Sequence, residues 1–254
     1  MKKILLLLSV SCLIGCASRK DVVRFQDADN LPEINIDSIY HHPEIQVNDI
    51  LKIDLTALEP ESLMPFQFEK SLVGNTGVRQ IELLKLEGYL VNKKGVINYP
   101  GLGEVMVGGK TTQEVQSILK EELSRFVKDV DVKVRLVNFK FTVMGEVKAP
   151  GTYTISEETV TLPQALGMAG DLTIQGERKN VLIFRNDQGV ITSKRIDLTS
   201  TAWMDSPYYY LKQNDMVYVE PNNPRVKSAG FIGNVGNVIS VVSILMSAAV
   251  LIFR

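Results

Sequence analysis

The sequence predicts an α+β protein with two small units and a membrane helix near the C-terminus. Alternating apolar and charged residues over 130–137, among them Val132 and Val134, indicate a half-buried strand. Apolar residues at helical spacing between 111 and 126 indicate an amphipathic helix. The uncharged stretch 228–253 would span roughly 39 Å as a helix, more than the bilayer core of about 30 Å.

The N-terminus is typical of an exported protein. Lys2 and Lys3 precede an apolar run over residues 4–10, which is too short to cross a bilayer. Residues 1–15 are therefore predicted to be a signal peptide.

Cys16 lies where the signal peptide should be cleaved, and the residues before it resemble the bacterial lipobox. We expect lipidation at Cys16, with a chance cysteine after an ordinary secretory signal as the alternative. Cys12 leaves with the signal, so no intramolecular disulfide is expected. Ala17 follows the cysteine in place of an aspartate, which favours the outer membrane.

Residues 16–43 are predicted to be a lipidated tether, because Pro32 and Pro43 interrupt any periodic pattern.

The first unit, residues 44–138, is predicted from five elements. We expect a strand over 45–58 and a hairpin that pairs 88–91 with 96–99. A helix should begin at Thr111, because Thr111 and Glu114 have the spacing of a capping box. The strand over 130–137 ends the unit.

The second unit, residues 139–222, is predicted to hold five strands and a short helix. Strands over 141–147 and 152–155 should flank a type II turn, which requires a positive φ at Gly151. Thr161 is a candidate N-cap of the helix, and Gly170 is a candidate terminator. The remaining strands are predicted over 181–185, 190–196 and 216–220, and the first two of these should pair across residues 186–189.

A transmembrane helix is predicted over 229–253. Gly233, Asn237, Ser240 and Ser247 lie on one helical stripe of small and polar residues. Such a stripe allows helices to approach each other or to face water. Two interpretations remain open: a single anchor helix whose serines bond to their own backbone, and a helix in a ring whose stripe faces neighbours or a lumen.

The composition argues against other functions. A P-loop, a G-x-S-x-G elbow and an H-E-x-x-H motif are absent from the sequence, so we expect no enzyme. The two histidines, His41 and His42, are adjacent and have no second ligand cluster in the sequence, so no metal site or cofactor is expected. With 28 Lys and Arg against 29 Asp and Glu and no basic block, nucleic acid is not an expected partner.

Several motifs together resemble a known family. Residues 45–51 and 95–103 resemble the polysaccharide biosynthesis/export domain of outer-membrane capsule and exopolysaccharide exporters. Residues 143–153, followed by Ala169 and Gly170, resemble the β-grasp-like domain called SLBB that follows it in that family. The resemblance covers residues 43–220 in the family's order.

The chain departs from the family pattern at four points. Asn48 and Asp171 replace glycines, and asparagine tolerates left-handed backbone. The chain has one SLBB-like unit where enterobacterial relatives have more. Its terminal helix is more apolar than their amphipathic one.

The resemblance implies an outer-membrane lipoprotein with periplasmic domains that form a ring-shaped conduit for capsular or exopolysaccharide. The implied partners are the polysaccharide, further copies of the chain, outer-membrane lipid and an inner-membrane co-polymerase that regulates chain length. One alternative is a monomeric, envelope-tethered glycan-binding or adhesion lipoprotein. Another keeps the export role but places the terminal helix in the inner membrane.

Overall fold

The computed structural model describes residues 19–40, 42–66, 88–187 and 189–223, with helical positions at 236, 239–241, 243, 244 and 247. The predicted signal peptide, Cys16 and most of the predicted transmembrane helix lie outside these residues. The described chain is α+β, as the sequence predicts.

The strands of the first unit are β1 (Ile50–Thr56), β2 (Tyr89–Leu90), β3 (Val96–Tyr99), β4 (Gly103–Met106) and β5 (Asp131–Leu136). They form a three-stranded antiparallel sheet in the order β2-β1-β5 and a separate hairpin of β3 and β4. Along β5, charged residues alternate with Val132, Val134 and Leu136, which are buried. The alternation in the sequence therefore predicts this strand and its buried face correctly.

The predicted hairpin between 88–91 and 96–99 is wrong. β2 pairs with β1, and β3 pairs with β4 across a turn at Gly101, which has φ of +75°. The turn near Asn92 does form, because the Gly95 N–H donates to the Asn92 carbonyl. The local sequence pattern allows either pairing. The observed one is selected because it pairs β2 with β1 and packs the strands on the core.

Both longer helices begin at capping boxes. In α2 (Thr112–Leu123), Thr111 accepts from the Glu114 N–H, and Glu114 accepts from the Thr111 N–H. In α3 (Leu162–Met168), Thr161 and Gln164 form the same pair. Gly170, with φ of +72°, follows the end of α3 and lets the chain leave the helix.

The second unit is built on a mixed sheet of five strands: β6 (Phe139–Gly145), β7 (Gly151–Ile155), β9 (Gly176–Asp187), β10 (Val190–Ile196) and β12 (Met216–Pro221). Their order in the sheet is β10-β9-β12-β6-β7. β8 (Val160–Thr161) pairs with β11 (Tyr210–Leu211) beside the sheet. β12 runs parallel to β6 and antiparallel to β9, so the last strand lies between two hairpins.

Two glycines of the second unit differ in whether their position in the structure requires glycine. Gly145, at the end of β6, has φ of +88°, and a Cβ there would collide with the Val219 carbonyl oxygen. Gly151 has no left-handed φ and begins β7, so the predicted positive φ at Gly151 is wrong. The chain reverses instead through residues 146–150.

One contiguous apolar core runs through both units. It includes Leu119 and Leu123 from α2, and Phe141 and Val217 from the large sheet. Phe126, predicted on the same apolar helix face, is mostly exposed and follows the end of the helix. The shared core fixes the two units against each other.

The segment before the first unit is not a free spacer over its described residues. Arg24 forms two hydrogen bonds to the Asp171 carboxylate, at 2.9 and 2.7 Å. The Phe25 N–H donates to the Leu198 carbonyl. A short helix, α1 (Ile36–Ile39), then leads towards β1. The segment therefore packs along the second unit.

Within the described part of the chain, no helix combines the length and apolarity needed to cross a bilayer.

Candidate functional site: the cleft between the two units

A cleft of about 310 Å³ opens where the two units meet. The first unit and the segment before it contribute His42, Glu44 and Gln46, and the second contributes Tyr208, Tyr210 and Lys212. The cleft thus combines aromatic rings with charged and amide side chains, as small-molecule and sugar sites do.

Tyr208 and Tyr210 line one side of the cleft, here called the tyrosine wall, and Tyr209 lies between them in the chain. Tyr209 and Tyr210 meet edge to face, with ring centroids 5.1 Å apart. Tyr40 packs edge to face on Tyr210 at 5.5 Å and on His42 at 5.0 Å. Burial raises the pKa of Tyr40 and of Tyr210, so both phenols stay neutral at physiological pH.

Arg185 holds this wall from behind. Its guanidinium lies 4.7 Å from the Tyr208 ring centroid and donates to the carbonyls of Pro207 and Tyr210. It also forms a fork with Asp215, with Nη2 to Oδ2 at 2.7 Å, and both side chains are buried. Burial raises the pKa of the Asp215 carboxyl, and the facing guanidinium opposes that change. One planar cation therefore ties together both ends of residues 207–210, the tyrosine loop.

A polar junction joins the units at the base of the cleft. Gln213 donates from Nε2 to Asp49 Oδ1 at 3.0 Å and to the Asn138 carbonyl at 3.1 Å. Asp49 also accepts from the Gln46 N–H, and Asn138 accepts from the Ile50 N–H. Burial raises the pKa of Asp49, opposed by these donors. The junction therefore links the start of β1 to the loop before β12.

Asn48 adopts φ of +70°, and Asp171 adopts φ of +69°. These are the two positions where the sequence departs from the glycines of the resembled family. The expectation that Asn48 tolerates a left-handed backbone is confirmed. The Asp171 side chain is used as well, since it binds Arg24 and accepts from the Leu172 N–H.

A second, more open cleft of about 620 Å³ adjoins the first. The two share Glu44, Gln46 and Asp187, and the second continues towards Lys93 and Lys94 in the turn before β3. Together they form a groove across the junction of the two units.

The predicted site residues at the chain ends are described only in part. Cys16, Gly233 and Asn237 lie outside the described residues. Ser240 and Ser247 are helical and exposed, and each donates to the carbonyl four residues earlier, at 2.8 Å. This local bonding is what a serine makes in any helix, so it fits both interpretations of the stripe.

The described side chains of His, Cys, Asp and Glu include no group of three placed to hold a metal ion. His42 is exposed, and its Nδ1 lies 3.4 Å from the Tyr40 hydroxyl and 3.3 Å from Gln113 Nε2.

The sequence analysis missed the cleft. Its one local signal is the run Tyr208 to Tyr210, which contains three of the chain's eight tyrosines. Arg185, Asp215 and Gln213 carry no local signal, because Arg185 and Asp215 are 30 residues apart and Gln213 binds Asp49, 164 residues away.

Two family models match the chain. Residues 40–137 match the polysaccharide biosynthesis/export protein model, and residues 139–219 match the SLBB domain model.

Known relatives agree with these models. The chain is 31% identical over 138 residues to the EPS I polysaccharide export outer membrane protein EpsA of Ralstonia solanacearum, covering 53% of this chain and 36% of EpsA. It is 26% identical over 193 residues to the capsule polysaccharide export outer membrane protein CtrA of Neisseria meningitidis serogroup A, covering 74% and 47%. The capsule polysaccharide export protein BexD of Haemophilus influenzae is 29% identical over 94 residues, covering 37% and 23%.

The matches thus span less than half the length of each of these relatives. The two models nevertheless follow each other directly and in the expected order. The chain therefore belongs to the family of polysaccharide biosynthesis/export proteins, with an SLBB domain after its export domain.

Proposed function

We propose that this protein is an outer-membrane lipoprotein whose copies form a ring-shaped conduit for capsular or exopolysaccharide. The observation that carries the proposal is the tandem match of the export and SLBB models, shared with relatives named for polysaccharide export at the outer membrane. The conduit spans the periplasm and the outer membrane. It is not an enzyme and needs no cofactor, and transport is passive on its side, because the sequence has no P-loop for a nucleotide.

The proposed organisation follows the sequence. Residues 44–138 are the export domain, and residues 139–222 are the SLBB domain. The description of the latter as β-grasp-like is supported by its two hairpins, its helix α3 and a last strand parallel to the first. An inner-membrane co-polymerase delivers the polymer to the ring.

The ring is tested first. The full-length protein is extracted in mild detergent, its mass is measured by light scattering, and the same peak is imaged in negative stain. A closed ring with a central cavity is expected. A monomer in several detergents would favour the alternative, an envelope-tethered glycan-binding module, and the conduit would be dropped.

The lipid anchor is proposed at Cys16, after a signal peptide over residues 1–15. Several acyl chains hold a protein firmly, since each buried methylene contributes about 0.8 kcal/mol. Cys16→Ala should lose labelling by a fatty-acid analogue and should lose outer-membrane sorting. Labelling that persists in the variant would refute the anchor.

The C-terminal helix, residues 229–253, is proposed to cross the outer membrane in the ring. Removing residues 225–254 should leave folded periplasmic domains and abolish export, and normal surface polymer would argue against the helix. Density fractionation of the membranes distinguishes outer from inner membrane.

The stripe of Gly233, Asn237, Ser240 and Ser247 is proposed to form the seam or lumen of that helix barrel. Asn237→Leu should then impair conductance or ring stability more than the matched change Val238→Leu. Equal effects would indicate a plain anchor helix.

A further inference from the structure

Part of the aromatic surface of the tyrosine wall is not used to pack the core. Tyr208 and Tyr209 pack partly against the core, but Tyr210 lies outside that cluster and contacts Tyr40 and Tyr209. The two rings that line the cleft, those of Tyr208 and Tyr210, are half-buried, so part of their surface is accessible. Aromatic surface left accessible in a concave site is typical of ligand binding.

The wall is also held in place before any ligand arrives. Arg185 donates to the carbonyl of Pro207, just before the tyrosine run, and to that of Tyr210, its last residue. It also stacks on the Tyr208 ring. The Asp215 carboxylate in turn holds the Arg185 guanidinium in place through a charge-assisted hydrogen bond. A ligand therefore meets rings that need no ordering, which lowers the entropic cost of binding.

The remaining groups suit a ligand rich in hydroxyls. Opposite and beside the rings lie Glu44, Gln46 and Thr159, and at the edge Lys212 and Asp187 form an ion pair at 3.0 Å. A sugar ring has an apolar C–H face and a rim of hydroxyls that both donate and accept hydrogen bonds. The cleft offers an aromatic surface for the face, and carboxylate, amide and ammonium groups for the rim.

The shape of the site favours a chain over a single small molecule. The tyrosine cleft is open, and it continues across Glu44 and Asp187 into the larger cleft beside Lys93 and Lys94. A groove with two connected compartments accommodates successive units of a polymer.

We propose that this groove is a carbohydrate-binding site, in which Tyr210 and Tyr208 stack on the sugar rings of a short polysaccharide segment. That the segment belongs to the exported polymer rests on the proposed function. The stacking itself is a property of the folded chain and does not depend on the ring.

The test uses the full-length protein in mild detergent. The probe is a set of oligosaccharides of one to three repeat units, released by partial acid hydrolysis of the polymer that the producing cells export. Binding is measured by isothermal titration, and saturation-transfer NMR identifies which sugar protons contact the protein.

Tyr210→Ala should weaken binding at least tenfold, whereas Tyr210→Phe should stay within about threefold of the wild type because it keeps the ring. Tyr218→Ala is the matched control, since Tyr218 is a half-buried tyrosine of β12 outside both clefts. His42→Ala, at an exposed side chain that lines the same cleft, gives a second variant that should weaken binding without affecting folding.

An absence of binding by the wild type, or equal binding by Tyr210→Ala and Tyr218→Ala, would overturn the site. Binding of a peptide mixture of similar mass, with the same dependence on Tyr210, would overturn the carbohydrate assignment. A closed ring without sugar binding rejects the site and leaves the conduit standing. A monomer that binds sugar through Tyr210 supports the site and rejects the conduit.

Discussion

The two units treat buried charge differently. Among the described residues, the first unit buries one charged side chain, Asp49, and places it at its border with the second unit. The second unit buries Arg178, Arg185 and Asp215 within its own fold. Arg185 bonds to carbonyls of the tyrosine loop, and Arg178 bonds to the carbonyls of Ile174 and Gly176.

This difference shows what each unit is built to do. The first unit is held by apolar packing of α2 on β5. Its buried carboxylate accepts from the Gln46 N–H of the same unit and from Gln213 of the second. The second unit uses buried guanidinium groups to bind backbone carbonyls of its loops and strand ends, such as those of Pro207 and Tyr210. The loops fixed in this way include the one that forms the cleft.

Loss of the buried guanidinium should have the largest effect. Arg185→Ala leaves Asp215 buried without its countercharge and should lower the free energy of unfolding by about 3–5 kcal/mol. Arg195→Ala is the control, because Arg195 pairs with Glu220 near the surface and its loss should cost less than about 1 kcal/mol. Urea unfolding of the full chain, followed by circular dichroism, measures both. Equal losses would remove the contrast between buried and exposed pairs.

The junction should come next. Asp49→Ala removes the acceptor for the Gln46 N–H and the Gln213 amide, and should cost about 1–3 kcal/mol. Asp54→Ala, on the exposed side of β1, removes surface pairs with Arg135 and Lys52 and should have little effect. The same unfolding experiment compares them, and a larger loss for Asp54→Ala would contradict the role of the junction.

The helix caps should have smaller and similar effects in the two units. Thr111→Ala and Thr161→Ala should each cost about 1 kcal/mol, because each removes the acceptor for an N–H in the first turn. Ser117→Ala, in the exposed middle of α2, serves as the control and should be nearly neutral. Thermal unfolding checks all three. A strong asymmetry between the two caps would show that the units differ in more than buried charge.

The smallest expected effect is a change in pH dependence. Burial raises the pKa of Asp49, so the folded protein binds the carboxyl proton more tightly than the unfolded chain does. Its contribution to stability is therefore fully present below the ordinary Asp pKa and is lost as the pH rises through the raised value. Asp49→Asn should remove this slope, which is read from urea midpoints between about pH 3 and pH 7. If the wild type instead gains stability over the variant as the pH rises, the bonds from Gln46 and Gln213 outweigh burial.

Local patterns predicted the elements that depend on neighbouring residues. The capping box at Thr111 and the N-cap at Thr161 are confirmed, as is the pairing of 181–185 with 190–196. Each is decided within a few turns or across a short loop. The partner of β2 and the φ of Gly151 were predicted wrongly, because both depend on where distant strands place the chain.

By itself, the sequence determined the α+β class, the order of the elements and the family, since periodicity, caps and motif order are properties of the chain. It also predicts the lipobox and the apolar C-terminal stretch, which are read as composition. The tertiary structure alone decided that the segment before the first unit packs on the second, that Arg185 supports the tyrosine loop, and that the two units enclose a groove. These features join residues far apart in the chain, and such contacts follow from packing of the whole core.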